Sequence, residues 1–269
     1  MTGNENSIIE LPDYVPEADP VESEKLIGVH YFPGWKPGSH QGWEVLKEFP
    51  ERKPLLGYYD ESNPEVTDWE IKWALEHGIQ FFIYCWYRRG QGVPVTRDTM
   101  NLEHAIHEGL FNAKYRNKFK FTIMWENQRK GISSVDNLND LMDNVFSFWM
   151  EQYFKKEYYL KINNKIVLFV YRPEKMIFDL GGIDKAREGI KRMRKVCKAE
   201  GFDGLIILGE HRGENWELLK KMSQCGFDYA FAYCWHAVNK RPTISEAFER
   251  QFEVMKGWKK KDRFATVSS

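Results

Sequence analysis

Glu126 and Glu210 are the only Asp or Glu residues that immediately follow the third to sixth apolar runs of this sequence. Two carboxyl groups brought together can divide acid–base work: a protonated one assists a leaving oxygen while an ionised one acts as base or nucleophile. The same relative place after each apolar run carries aromatic and polar residues. His30, Tyr31 and Trp35 follow the first, Trp86, Tyr87 and Arg88 the second, and Trp125, Glu126, Asn127 and Gln128 the third. Tyr171 and Arg172 follow the fourth, Glu210, His211 and Arg212 the fifth, and Tyr233, Trp235 and His236 the sixth. Flat rings stack on the C–H faces of sugars, and amides, carboxylates and guanidinium groups hydrogen-bond hydroxyls, so the set points to carbohydrate. Each member also has a plainer use. Glu126 could hold a neighbouring Arg or cap a loop, Glu210-His211-Arg212 could be a local ion pair, and Trp86 and Trp235 could be packing.

Other chemistries have less support. His30, His211 and His236 could converge, but no H-x-x-x-H or H-E-x-x-H pair places two metal ligands on one helix face. No G-x-S-x-G elbow is present and Cys85 lies inside an apolar run, which disfavours a Ser or Cys nucleophile. A nucleotide-sugar transferase would be expected to show a Gly-rich phosphate loop or a D-x-D metal motif, and neither occurs. No metal or cofactor is expected.

The elements that would position these residues follow a regular alternation. Residues 1–24, acidic and polar with three prolines, read as an arm or linker before a single domain over residues 25–269. Strands are predicted at 26–32, 79–86, 119–125, 165–171, 203–208 and 227–233, with a seventh beginning at 263–267. Helices are predicted between them. Asn63-Pro64-Glu65 starts one that runs to about His77; others cover 102–111, 135–154, 183–200 and 216–223, and Thr243 and Glu246 in capping-box spacing open the last, at 247–258. Short apolar strands alternating with helices imply βαβ units and a parallel sheet. Without a G-x-G-x-x-G turn, a (β/α)8 barrel of TIM type fits better than an open doubly wound sheet, and its strand ends would bring all the residues above to one mouth. About six complete units and the start of a seventh strand are counted. The two sheet edges this leaves are expected to be covered by self-association or by a further C-terminal segment.

Composition narrows the partners. Lys and Arg total 39 against 39 for Asp and Glu, so no net field draws the chain to nucleic acid. No apolar run is long enough to span a membrane. The N-terminus lacks the parts of a signal peptide, so a cytoplasmic location and export with a signal already removed both fit. Cys85, Cys197, Cys225 and Cys234 show no C-x-x-C spacing and are expected to be buried free thiols.

Several motifs together resemble one family. His30-Tyr31-Phe32-Pro33, Gly57-Tyr58-Tyr59-Asp60 with Asn63-Pro64-Glu65-Val66, and Glu76-His77-Gly78-Ile79 before Phe82-Ile83-Tyr84 look like the WbsX-like group, related to glycoside hydrolase family 99. Trp125-Glu126-Asn127, Lys161-Ile162-Asn163-Asn164-Lys165 and Tyr171-Arg172-Pro173 are similar to its third- and fourth-strand signatures, and the likeness spans about residues 25–235. The resemblance implies a (β/α)8 barrel acting on a polysaccharide or glycan by endo-mannosidase-like hydrolysis or, under the group's older label, by sugar transfer. A glycan-binding protein without catalysis is the other reading. Tyr59 and Asp60 join the implied binding residues. The family's late W-N-E-W-like segment has no match here, so no catalytic role is carried over from it.

Overall fold

The computed structural model describes residues 13–38, 42–128, 133–212, 215–233, 242–259 and 266–268. Seven parallel strands form one sheet in chain order: β1 (Gly28–Tyr31), β2 (Phe81–Arg88), β3 (Lys120–Trp125), β4 (Lys165–Val170), β5 (Gly204–Glu210), β6 (Tyr229–Ala232) and β7 (Thr266–Ser268). The predicted order of strands is therefore observed, each displaced by a few residues. Two-residue antiparallel strands, Met100–Asn101 on β2 and Lys161–Ile162 on β4, are additions that periodicity did not suggest. Among the described residues β1 and β7 are the edges of the sheet.

Helices cover the outer face. Pro64–Glu76 (α1) begins as expected, with the Asn63 side chain accepting from the Glu65 N–H at 3.0 Å and Pro64 in the first turn. The segment expected to be a helix at 102–111 is instead a π-helical turn, Ala105–Gly109, running into a short 3₁₀ turn, Leu110–Asn112. Residues 140–154 (α2) are π-helical at both ends around Ser147–Trp149. Pro173–Asp179 (α3) precedes Ile183–Ala199 (α4); Trp216–Cys225 (α5) and Ile244–Lys259 (α6) follow. Thr243 and Glu246 make the expected capping box, the Thr243 N–H donating to Glu246 Oε2 at 2.7 Å. None of the helices among the described residues is long and apolar enough to cross a membrane.

The strands are apolar on both faces, as parallel strands buried on both sides must be. Their alternation sorts two cores. Tyr84, Trp86, Phe121, Ile123, Trp125, Leu168, Val170 and Ala230 face the helices. Phe81, Ile83, Cys85, Tyr87, Met124, Val167, Phe169, Leu208 and Phe231 face inward. The sheet is curled, because the His30 ring on β1 reaches across to Phe231 (5.5 Å between centroids) and Tyr233 (4.7 Å) on and beyond β6. Where Tyr158–Leu160 inserts between the lower halves of β3 and β4, the Val167 carbonyl accepts from Thr122 Oγ1 (2.8 Å) and the Tyr159 hydroxyl (2.7 Å) in place of a ladder bond. A sheet can splay only if such orphaned groups find partners.

Residues 13–24 lie against the helical layer. Val15 is buried, its carbonyl accepting from the Tyr115 hydroxyl at 2.5 Å, and the Tyr14 hydroxyl donates to Asp68. Cys85, Cys197 and Cys225 are buried free thiols, as expected; Cys234 lies outside the described residues.

One packing detail fixes the end of β5 beneath Glu210. A Cβ on Gly209 would lie 2.5 Å from the end of the Met222 side chain, 2.7 Å from the Pro173 ring and 3.1 Å from Phe227. Gly209→Ala should therefore destabilise the fold by about 1–3 kcal/mol through overpacking, measurable by urea denaturation. An unchanged midpoint would mean that α3 and α5 can move away freely.

Candidate functional site

Alternation along each strand decides which of the sequence-selected residues can meet. The inner-face positions at the C-terminal ends are His30, Tyr87, Glu126, Tyr171, Glu210 and Tyr233, continuing the inward series through Cys85, Met124, Phe169, Leu208 and Phe231. These six converge. Their neighbours point the other way, which corrects the expectation that every strand-end residue faces one mouth. Trp86 is 1% exposed and its Nε1 donates to the Tyr153 hydroxyl at 3.1 Å, which in turn meets His107 Nε2 at 2.9 Å. Trp125 is equally buried against Trp149, its Nε1 donating to the Ser133 carbonyl at 2.5 Å. Tyr31 donates from its hydroxyl to Glu70 Oε2 at 2.9 Å, on the helix side. Trp86 and Trp125 are core and Tyr31 packs partly buried against it, because a strand one residue out of phase presents its side chains to the opposite layer.

The other selected residues have specific local tasks. Asn127 is fully buried; its amide donates to the Arg172 carbonyl (2.8 Å) and accepts from the Arg172 N–H (2.9 Å), so it ties the loop after β3 to the loop after β4. Arg172 itself is half exposed and pairs with Glu174 at 2.6 Å. His211 is buried and its Nε2 meets the Asn215 carbonyl at 2.7 Å. Trp35 stacks on Trp43 at 4.3 Å, and Trp43 Nε1 donates to the Tyr59 carbonyl at 2.6 Å. Asp60 accepts from the Ser62 N–H (2.8 Å) and hydroxyl (2.5 Å), a turn-forming arrangement. Trp235 and His236 lie outside the described residues.

Two carboxyl groups with altered acidity dominate the convergent set. Glu126 is 3% exposed, and burial raises its pKa above the ordinary carboxylate value; the Gln128 amide, the Cys85 thiol and the Arg212 charge oppose that rise without cancelling it. The Gln128 Nε2 donates to Glu126 Oε2 at 3.1 Å. Burial pushes Glu210 up to about 7, again against the Arg212 guanidinium, with the Glu174 charge adding to the rise. The His30 imidazole is pushed down to about 4 by burial among Phe169, Phe231 and Tyr233, and neither of its nitrogens has a hydrogen-bond partner among the described residues. It is therefore neutral at physiological pH and offers one donor and one acceptor inside the curl.

Gln128 and Arg212, selected with the other strand-end residues, belong to this site, and Cys85 is a member that the sequence reading had set aside as part of an apolar run. Arg212 donates through Nε to Glu210 and through Nη2 to the Tyr171 hydroxyl at 2.6 Å, with its guanidinium carbon 5.2 Å from the Tyr171 ring centroid. The local ion pair weighed for Glu210-His211-Arg212 is therefore present, between Glu210 and Arg212. Beside them, a cavity of about 480 Å³ is lined by Gln128, Tyr171, Arg172, Glu174, Glu210 and Arg212 among others. Its volume suits one or two sugar rings, and its donors and acceptors suit hydroxyl groups. Among the described residues no group of three His, Cys, Asp or Glu side chains is placed to hold a metal ion.

Solved structures share this architecture. Two structures of the GH99 endo-alpha-mannosidase from Bacteroides thetaiotaomicron, one in complex with bis-tris-propane, superpose on 91% of this chain with a TM-score of 0.50 in each case. The superposition covers 69% and 71% of those chains, at 13% and 14% identity, and at such identity it speaks for the fold. No curated protein matches the sequence. The family model described as "Glycosyltransferase WbsX" matches residues 48–267. That match spans β2 to β6, the inner tyrosines and both carboxyl groups, and on this ground the chain belongs to the WbsX family, as its motifs had suggested.

Proposed function

We propose that this chain is a glycan-processing domain of (β/α)8 barrel type that hydrolyses glycosidic bonds in a polysaccharide or glycan, with chemistry of the endo-mannosidase kind. The observation that carries the reading is the convergence of Glu126 and Glu210, both raised by burial, on an inner face otherwise lined by Tyr87, Tyr171 and Tyr233. The hydrolysis needs one carboxyl to give its proton to the glycosidic oxygen as the C–O bond breaks. The other, ionised, either takes a proton from the water that bonds to the anomeric carbon or itself bonds to that carbon, to be displaced by water afterwards. The tyrosines supply faces for the sugar rings, and His30 supplies a neutral hydrogen-bonding group beneath them. Tyr59, Asp60, Trp35 and the outward-facing Tyr31, Trp86 and Trp125 support the loops and strands that carry these groups.

The test is release of reducing ends from a panel of mannose-containing and other oligosaccharides. Glu126→Gln and Glu210→Gln should each lower turnover by about 100-fold or more while oligosaccharide affinity stays within a few-fold. Saturable binding by the wild-type chain without any product would overturn hydrolysis and leave a non-catalytic glycan binder. Sugar transfer from a nucleotide-sugar donor, with no hydrolysis, would favour the transferase reading that the family's name carries.

A further inference from the structure

Charge is spread unevenly over this chain. Its basic and acidic residues are equal in number, yet α4 alone carries seven cations against two acids. Ala186, Ile190, Met193 and Cys197 turn the apolar side of α4 into the core, which leaves the charged residues to its flanks and outer side. One exposed stripe runs through Asp184 and Glu188 and then through Lys191, Lys195 and Lys198. At these spacings the three lysines stand about 6 and 4.5 Å apart along the helix axis. Cations toward a helix C-terminus complement its dipole, but the acids that could neutralise the run are engaged elsewhere. Asp184 pairs with Arg187 at 2.7 Å, Glu188 with Lys185 at 2.9 Å, Glu200 with Lys155 at 3.0 Å and Asp228 with Arg194 at 2.8 Å. Among the described residues Lys191, Lys195 and Lys198 have no carboxylate partner. Beside them lies a groove of about 490 Å³, lined by Asp184, Arg187, Glu188, Lys191, Arg192 and Lys195, which shares no residue with the strand-end cavity. Lys198 and Lys165 carry the run into a second hollow of about 380 Å³, together with Asp203 and the Arg194–Asp228 pair.

We propose that the stripe of Lys191, Lys195 and Lys198 on α4, with the groove beside it, is a second ligand site that takes an anionic polysaccharide, the acidic groups of the glycan meeting the lysines in succession. The proposal goes beyond the hydrolytic reading and draws on it only in preferring a glycan among polyanions. A thin linear polyanion suits a single row of charges about one helical turn apart. A membrane suits it less, because an interfacial helix must insert its apolar face and that of α4 is spent in the core. Duplex nucleic acid offers a broad field of phosphates, whereas outside α4 this chain is net acidic and would repel it. Single strands bind where aromatic rings stack on the bases, and the groove has none. A glycan held on α4 stays tethered to the domain, which raises its effective concentration at the strand-end cavity.

The test is isothermal titration calorimetry of the full chain with oligogalacturonate as the anionic probe and a mannan oligosaccharide as the neutral one. Wild type should bind oligogalacturonate saturably, more tightly than the neutral probe, and less tightly as salt rises. Lys191→Glu, Lys195→Glu and Lys198→Glu together should weaken that binding by about 10-fold or more. The same reversal at Lys25, Lys53 and Lys256, exposed on other elements, should leave it within about 2-fold. If the α4 variant does not fold, Lys191→Gln, Lys195→Gln and Lys198→Gln together decide in the same way with a smaller loss. No saturable binding by wild type, equal binding of the neutral probe, no loss in the α4 variant, or equal losses in the two sets would each overturn the site. Tighter binding of duplex DNA or of phosphatidylglycerol vesicles, lost with the same lysines, would overturn the glycan as the partner. Calorimetric binding needs no turnover, so an inactive chain that binds as described would remove the hydrolytic reading and leave the α4 site standing.

Discussion

Asp140→Ala should cost about 3–5 kcal/mol of folding stability, a large fraction of the 5–15 kcal/mol that a domain commonly has. Arg88 and Asp140 form a two-pronged ion pair with their side chains 1% and 2% exposed. Arg88 also donates to the carbonyls of Ser134 and Val93, and Asp140 accepts from the N–H groups of Gly92 and Asp136 and from Asn144. Burial by itself would raise the Asp140 carboxyl, but Arg88 and these other donors outweigh it and hold it below its ordinary value. Removing the carboxylate strands a guanidinium in the core. The pair joins the end of β2 to the start of α2, and Ser133, which bonds Arg88 through its N–H and Oγ, also holds the Trp125 indole one residue before Glu126. An apolar double replacement, Arg88→Met with Asp140→Leu, should not recover the loss, because two carbonyls and two N–H groups would remain without partners. Chemical denaturation of the three proteins checks this, and a stable double variant would show that the pair can be dispensed with.

Glu70→Gln should stabilise the protein on the order of 2 kcal/mol at pH 8 and leave it nearly unchanged at pH 4. Glu70 lies on α1 against Tyr31, with Glu61 close enough for the two charges to repel. Burial first, and then the Glu61 charge, pushes Glu70 up to about 8, while the Tyr31 hydroxyl opposes the rise. A raised acid favours the folded state while it keeps its proton. Below the unfolded value of about 4.5 both states hold the proton and nothing is lost; stability then falls as pH rises through the interval up to about 8. An amide removes that loss, since its oxygen can accept from Tyr31 and its nitrogen can donate toward Glu61. Melting temperatures across pH 4–9 provide the check. Parallel curves for wild type and Glu70→Gln would mean that Glu70 is ionised throughout.

The order of strands and helices was legible because short apolar runs and capping residues announce themselves locally. Asn63-Pro64-Glu65 and Thr243 with Glu246 started helices where expected. Arg172-Pro173-Glu174 carries the same proline and acid signal and opens α3, which a reading that gave priority to strand ends passed over. The phase of each strand was not legible. With apolar residues on both faces, nothing in FFIYCWYR says whether Trp86 or Tyr87 looks inward; only the layers packed on either side decide. Glu126, Glu210 and Arg212 could be placed by position, but the Tyr171 and Tyr233 rings that Arg212 meets lie far away in sequence. The Glu61–Glu70 pair left no periodic trace, since one member is in a loop and the other on a helix.

The two-residue alternation at the strand ends also divides the labour of change. Positions 87, 171, 210 and 233 face inward, while 86, 125, 170 and 209 are fastened into the helical layer. Substitutions in the first set can alter which ligand is recognised with little disturbance to the second, because neighbours along a strand touch different partners. A lineage can therefore diversify its substrates one inward residue at a time while inheriting the same scaffold.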